Sequence, residues 1–366
     1  MTTIAIFVAL LIVLLLIRRA YTNFCLENVE VQLSMSATTA TEGEDLTLTE
    51  VITNRKWLPL PWLAVKFQVD RELHFADQSA AVVSDFYYRN DLFHILMHQK
   101  ITRRLNFTCA KRGYYAIRGL EVTGWDILME NKYIKTMECD TNLTVYPATL
   151  EMQETDTLCT RVYGLLRTFH PIHPDPFTFR GIREYSSHDP MKIINFKASA
   201  KAQELMVNVW DFSNARQVFL LLDVERHTAW HNEDIEERAI KIVASLAERF
   251  TTQGAPIAFA TNGKSIRSGA NTFITEGKGP NHLRRILESL AYINLAAEDP
   301  DPLEITVDDL ALTAEGSPEY WLVSPYYSKG TEAALIRLKS TGARTAWIIS
   351  SERPVNSDLN EEIIFI

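Results

Sequence analysis

The sequence contains no G-x-x-x-x-G-K-S/T stretch, no H-E-x-x-H, no G-x-S-x-G and no C-x-x-C pair. Each of the first three gaps removes a chemistry. A P-loop that cradles phosphates, a helical two-histidine zinc centre and the nucleophile elbow of the α/β-hydrolases all need those residues at those spacings. A Ser-His-Asp arrangement assembled only by the fold stays open. Cysteine is scarce: Cys25, Cys109, Cys139 and Cys159 are scattered and fit no zinc pattern. Two disulfides or free buried thiols remain, and free thiols are the simpler reading. Positive charge is short too. The 37 Lys and Arg against 46 Asp and Glu leave a net charge of −9, which speaks against general affinity for nucleic acid. No internal repeat is visible.

What is present is the composition of folded protein, 46% hydrophobic and 23% charged over 366 residues. At ~150 residues per domain the length suits two. Ile4 to Ile17 is one unbroken apolar run, closed by Arg18 and Arg19. The run alone is shorter than a ~30 Å hydrocarbon core, but Met1 to Thr3 extend it and the arginines can snorkel to headgroups. A cleaved signal peptide wants its charge before the run and small residues after it, and here the charge follows. Arginines on that side favour a cytoplasmic body. The expectation is an uncleaved single-pass anchor over residues 1–20 with cytoplasmic soluble domains; a buried core helix is the alternative.

Residues 29–147 alternate with period two. V-E-V-Q-L-S-M and L-T-L-T-E-V-I-T-N flank the turn-forming T-E-G-E-D, and further strand-like runs continue to T-N-L-T-V-Y-P. W-L-P-L-P-W places prolines at an edge or in a loop ahead of another strand. Short strands with regular turns predict an all-β region over residues 21–150, an antiparallel β-sandwich, for which binding is a better expectation than catalysis. Residues 151–212 lose the alternation and read as a connector, with a short helix at R-V-Y-G-L-L-R-T and the proline-rich H-P-I-H-P-D-P-F.

From residue 213 the period changes. Val218 to Leu222 is a continuous apolar run ending in Asp223, the profile of a strand buried on both faces. Asn232 to Phe250 has helical spacing, with Ile235, Ala239, Ile242, Val243, Leu246 and Phe250 on one face. Strands and helices then alternate to the end of the chain, which predicts a doubly wound α/β domain over residues 213–366.

Between the halves lies Arg180 to Gln203, R-G-I-R-E-Y-S-S-H-D-P-M-K-I-I-N-F-K-A-S-A-K-A-Q. Asp189-Pro190 suits an N-cap followed by proline in the first turn, with Ile193, Ile194 and Phe196 inward and Lys192, Lys197 and Lys201 outward. Arg180, Arg183 and Glu184 have the chemistry of a partly buried ion network bracing two domains. The other reading of the stretch is a docking surface for an acidic partner segment.

K-R-G-Y-Y-A-I-R-G-L-E-V-T-G-W-D-I-L with L-T-V-Y-P, then the R-G-I-R-E-Y-S-S-H-D-P-M-K-I-I-N-F-K-A-S-A-K core and V-F-L-L-L-D, resemble the successive motifs of the domain of unknown function 58 family. The resemblance runs in order along nearly the whole chain. His188, Asn195 and Phe196 depart from the family's usual Gly, Asp or His, and Trp, and many members carry two membrane helices where this chain has one candidate. The resemblance implies a bacterial membrane protein with a von Willebrand A-like domain, working beside a MoxR-type AAA+ ATPase in an assembly role. It also marks Arg180, Arg183, Glu184, Tyr185, Asp189, Lys192, Lys197, Ser199 and Lys201 as a partner-binding or interdomain signature.

In von Willebrand A domains the strand end occupied here by Asp223 reads D-x-S-x-S and holds Mg²⁺. This chain reads D-V-E-R-H, so both serines are missing and Arg226 adds positive charge. Thr261 and Ser324 are the hydroxyls left to complete a set of hard oxygen ligands. Asp223 is therefore either a Mg²⁺ ligand or a structural capping residue. The pairs His94/His98, His170/His173 and His227/His231 are spaced for metal but read more simply as surface or core histidines. The expectation is a non-catalytic, membrane-anchored scaffold for protein partners, with no cofactor and no nucleic acid. A Mg²⁺-dependent ligand-binding module through Asp223 is the alternative, and a hydrolase built on His170, His173, His188 and Asp189 a third.

Overall fold

The computed structural model describes residues 2–77, 81–83, 86–127, 129–169, 179–186, 194–210, 217–225, 232–295, 318–351 and 363–366. The chain divides into two compact units, Met1–Ala148 with Leu290–Ile293, and Thr149–Ser289 with Asn294–Ile366.

The first unit opens with helix α1 (Thr2–Phe24). Twelve strands follow: β1 (Val29–Met35), β2 (Thr39–Thr41), β3 (Asp45–Asn54), β4 (Leu60–Asp70), β5 (Leu73–Phe75), β6 (Ala81–Val83), β7 (Phe86–Ile95), β8 (Lys100–Cys109), β9 (Gly113–Ala116), β10 (Arg118–Trp125), β11 (Lys132–Thr136) and β12 (Asn142–Tyr146). They form the sheets β1-β3-β8-β5, β11-β10-β4-β7-β6 and β2-β12-β9. Pairing is antiparallel as expected, except that β2 lies parallel to β12. The period-two pattern sets the core. In β3, Leu46, Leu48 and Ile52 point inward. They join Leu63, Val65, Phe67 and Phe107 from the facing strands, at about 1.5–3 kcal/mol for each fully buried large side chain. Pro61 falls within β4, where the register against β7 shifts between Leu60 and Leu63; an irregularity of that kind tolerates the missing N–H.

The root of α1 is built into this core. Its apolar stretch Ile6–Phe24 is almost entirely exposed, but Tyr21 and the adjoining Cys25 are buried among sandwich residues. The Tyr21 hydroxyl donates to the Pro59 carbonyl at 2.8 Å. The Lys56 ammonium donates to the carbonyls of Cys25 (2.5 Å) and Glu27 (2.9 Å), a cation placed on the unpaired carbonyls that follow a helix end. Burial draws the Lys56 pKa down to about 8. On β10, Gly124 makes the close approach possible: a Cβ there would lie 2.9 Å from Cys25 Sγ and 3.0 Å from Leu26 Cδ2. The four cysteines are free.

The second unit contains α2 (Met152–Phe169), β13 (Phe179–Glu184), α3 (Phe196–Ala202), β14 (Met206–Trp210), β15 (Val218–Leu222), α4 (Glu233–Thr252), β16 (Ile257–Thr261), β17 (Thr272–Gly277), α5 (Pro280–Ala291), β18 (Glu319–Ser324), α6 (Lys329–Ser340), β19 (Arg344–Ile349) and β20 (Ile363–Phe365). Its main sheet has the order β17-β16-β15-β18-β19-β20, parallel throughout except for β17. Every residue of β15 is buried. Alternate residues face opposite sides. Leu221, Leu322 and Trp347 pack with Leu335 and Leu338 of α6. Trp321 meets Phe250 of α4 and Tyr163 of α2 edge-on, at 4.9 and 5.4 Å. The α4 helix starts at N-cap Asn232 with Glu233, Asp234 and Glu236 in its first turn, complementing the dipole. The expected short helix of the connector is the last part of a longer one, α2, held to α4 by Arg238–Glu154 and Arg249–Asp156 pairs.

Candidate functional site

The signature stretch forms a small module in which β13 pairs antiparallel with β14, Arg183 opposite Val207 and Glu184 opposite Met206. Its helix differs from the expected one. It begins at Phe196, not after Asp189-Pro190, because Asn195 is the N-cap, its side-chain oxygen accepting from Ala198 N at 3.0 Å. Ile194 precedes the helix, buried and bridged to Val207, while Phe196 points outward instead of inward. Ser199 is the staple: its hydroxyl donates to the Asn195 carbonyl and accepts from Met206 N, both at 2.8 Å. Tyr185 is half-buried and its N–H donates to the Leu205 carbonyl.

The module presents three large apolar side chains to solvent, Phe196 at 74%, Leu205 at 51% and Ile182 at 43%. Arg183, Glu184, Lys197 and Lys201 are exposed beside them, the Arg183 guanidinium donating to the Glu184 carbonyl at 3.0 Å. Arg180 lies within β13, but its side chain falls outside the described residues, as do His188, Asp189 and Lys192 entire. His170, His173, Arg226, His227 and His231 also lie outside them.

Asp223 stands at the C-terminal end of β15, next to the point where strand order reverses and ligands of open α/β sheets bind. Its carboxylate is buried and already engaged. Oδ1 accepts from Asn262 Nδ2 (2.8 Å) and Glu225 N (2.9 Å), and Oδ2 accepts from Thr331 Oγ1 (2.7 Å). The hydroxyls expected to assist are spent elsewhere: Thr261 accepts from Gly263 N, and Ser324 donates to the Tyr326 carbonyl while accepting from Trp347 Nε1. Three converging donors fit a carboxylate, not a cation, so this donor set does not fit Mg²⁺. Among the described residues no group of three or more His, Cys, Asp or Glu is placed to hold a metal. His94 is exposed on β7 with Nδ1 2.9 Å from the Pro61 carbonyl, and His98 sits in the following turn.

One charged cluster was missed by the sequence reading. In the sandwich, the buried Asp91 accepts from the buried Arg89 Nε and the partly exposed Arg103 Nη1, both at 2.5 Å, and the exposed Asp77 carboxylate accepts from Arg103 at 2.9 Å and Arg89 at 3.2 Å. Glu50 is buried beside them on the inward register of β3, with no hydrogen-bond partner on either carboxylate oxygen among the described residues. Burial, reinforced by Asp91 and partly offset by Arg103 and Arg89, raises its pKa to about 7. The signal was available: in L-T-L-T-E-V-I-T-N, Glu50 occupies the same parity as Leu48 and Ile52.

Residues 181–346 match the family described as "Protein of unknown function DUF58". The matched region, which holds the signature module and most of the α/β sheet, is similar to that family. It is a distant homologue of the "Uncharacterized protein YeaD" of Bacillus subtilis (strain 168), 25% identical over 190 residues. That match covers 52% of this chain and 45% of the relative, so the chain spans about half of that relative's length. Among solved structures it is similar to the CARDB domain of the PF1109 protein from Pyrococcus furiosus, at 11% identity over 32% of this chain and 90% of that one, with a TM-score of 0.22. A type II cohesin domain from the cellulosome of Acetivibrio cellulolyticus matches at 10% identity over 32% and 95%, with a TM-score of 0.24. Scores of this size carry no argument about function.

Proposed function

We propose that the chain is a membrane-anchored, non-catalytic scaffold that binds protein partners, a MoxR-type AAA+ ATPase among them. The observation that carries the anchor is the root of α1. Tyr21 in the last turns of α1 and the adjoining Cys25 pack in the sandwich core, which supports reading the helix as part of the folded protein. Its 23 residues reach about 34 Å at ~1.5 Å each, enough for a ~30 Å hydrocarbon core. Arg18 and Arg19 favour a cytoplasmic sandwich and α/β unit. We read the second unit as a doubly wound von Willebrand A-like domain whose metal position has been replaced by internal hydrogen bonds at Asp223. The partner surface is the signature module, where exposed Phe196, Leu205 and Ile182 lie among Arg183, Lys197 and Lys201, an apolar centre with a charged rim.

The test is co-purification from native membranes of the full chain, wild type beside a Phe196→Ser, Lys197→Glu, Lys201→Glu variant. A MoxR-type ATPase recovered with the wild type and lost with the variant is the expected result. Repeated recovery of no such ATPase sinks the partner assignment.

A further inference from the structure

The two ends of the sandwich differ in chemistry. At one end lie the turn Thr41–Asp45, with Glu42, Glu44 and Asp45, and the turn after Asp70; no large apolar side chain is exposed in either. The opposite end is where α1 enters. There Trp57, Trp62, Leu96, Met97, Ile127 and Met129 are all exposed, Trp57 at 61% and Met97 at 58%. Hydrogen bonds place their segments around the helix root. Lys56 holds the carbonyls of Cys25 and Glu27 and accepts from His98 N through its own carbonyl. Asn54 bridges the carbonyls of Leu58 and Leu96. Trp62 pairs with Trp125, which leads directly into the turn carrying Ile127 and Met129. The α1 hydroxyl of Thr22 lies 3.2 Å from that of Tyr133, on the strand that leaves this turn.

The connection between helix and rim has no slack. From Ile17, the last residue of the unbroken apolar run, to Tyr21, buried in the sandwich, is four residues, or about 6 Å of helix. The headgroup layer on one side of a bilayer is roughly 5–7 Å deep. If α1 spans the membrane, this apolar end is therefore held at headgroup level, where tryptophan is favoured and large apolar side chains reach the acyl chains.

We propose that this rim is a membrane-contact surface, its six apolar side chains inserting among lipid headgroups and upper acyl chains around α1. The sandwich then stands on the bilayer instead of swinging from a tether. This rests on the anchor reading above.

The experiment uses the full chain reconstituted into phosphatidylcholine–phosphatidylglycerol vesicles, in a Cys139→Ser background because the other native thiols are buried. Single probes of NBD type are attached at Met97→Cys, at Ile127→Cys and, as control, at exposed Thr41→Cys on the far end. The proposal expects a blue shift and strong quenching by headgroup-region doxyl lipids at 97 and 127, with neither at 41. Chains that float with the vesicles under alkaline carbonate but show 97 and 127 as wet as 41 overturn the rim and leave the anchor standing. Chains that fail to float remove the anchor and the rim together. Shielding at 97 and 127 that appears only after adding a native membrane extract assigns the surface to a protein and overturns the proposal.

Discussion

The hydroxyl of Tyr21 donates to the carbonyl of Pro59, joining the last turns of an otherwise exposed apolar helix to a loop 38 residues away in the sandwich. That bond sits in an apolar setting, with Tyr21 itself 1% exposed. It makes the helix a continuation of the soluble fold, and it converts a question about localisation into one about stability.

Tyr21→Phe keeps the ring and leaves the Pro59 carbonyl without this donor, at a cost of about 1 kcal/mol. Tyr21→Ala also opens a cavity in the core, for about 3–5 kcal/mol. Thermal denaturation of the full chain in detergent should rank them in that order below wild type. Equal stability of Tyr21→Ala and wild type would show that the root contributes nothing.

Gly124→Ala tests the same root from the other side. Its Cβ would press on the buried Cys25 Sγ at 2.9 Å and on the partly buried Leu26 Cδ2 at 3.0 Å. Overpacking of this kind costs about 1–3 kcal/mol. An unchanged melting midpoint would mean that Cys25 and Leu26 yield freely.

Glu50 makes stability depend on pH. Its pKa is raised from 4.5 to about 7, chiefly by burial, so between those values the folded state binds more protons than the unfolded. Stability therefore falls as pH rises through that window, the penalty beginning near the unfolded value and complete above the folded one, on the order of 3 kcal/mol at most. Glu50→Gln removes this ionisation. Chemical denaturation at pH 5 and pH 8 should show the variant gaining on wild type at the higher pH. Parallel pH profiles for the two proteins would refute the assignment.

Asp223→Ala leaves the Asn262 amide and Thr331 hydroxyl buried without their shared acceptor, a loss of about 2–4 kcal/mol. Mg²⁺ or Mn²⁺ should stabilise neither protein in a thermal-shift assay. A Mg²⁺ shift seen in wild type and abolished in Asp223→Ala would restore a metal-bridged mode of binding.

Periodicity alone gave both halves of this chain their elements. The strict alternation of β3 and the unbroken apolar run of β15 report burial on one face and on two, and backbone geometry leaves few other ways to bury them. The presence of α1 and the face of α4 were equally legible, though α1 runs on to Phe24, past the expected end at residue 20, because Tyr21 is packed into the sandwich. The helix of the signature was not. Asp189-Pro190 is a good local start signal, but Asn195 caps the helix, because Ile194 is taken up by the bridge to Val207 and Ser199 ties the first turn to β14. Phe196 is turned outward as a result.

The sequence by itself determined the order of elements, the apolar N-terminal segment and the charge balance, all of which follow from local patterning. Only the tertiary structure decided what Asp223, Glu50 and Tyr21 do. Their roles depend on partners distant in the chain: Thr331 and Asn262 for Asp223, Asp91 and two arginines for Glu50, and Pro59 for Tyr21. No spacing within a single segment encodes such meetings, because packing and hydrogen-bond satisfaction are settled between segments once the core has formed.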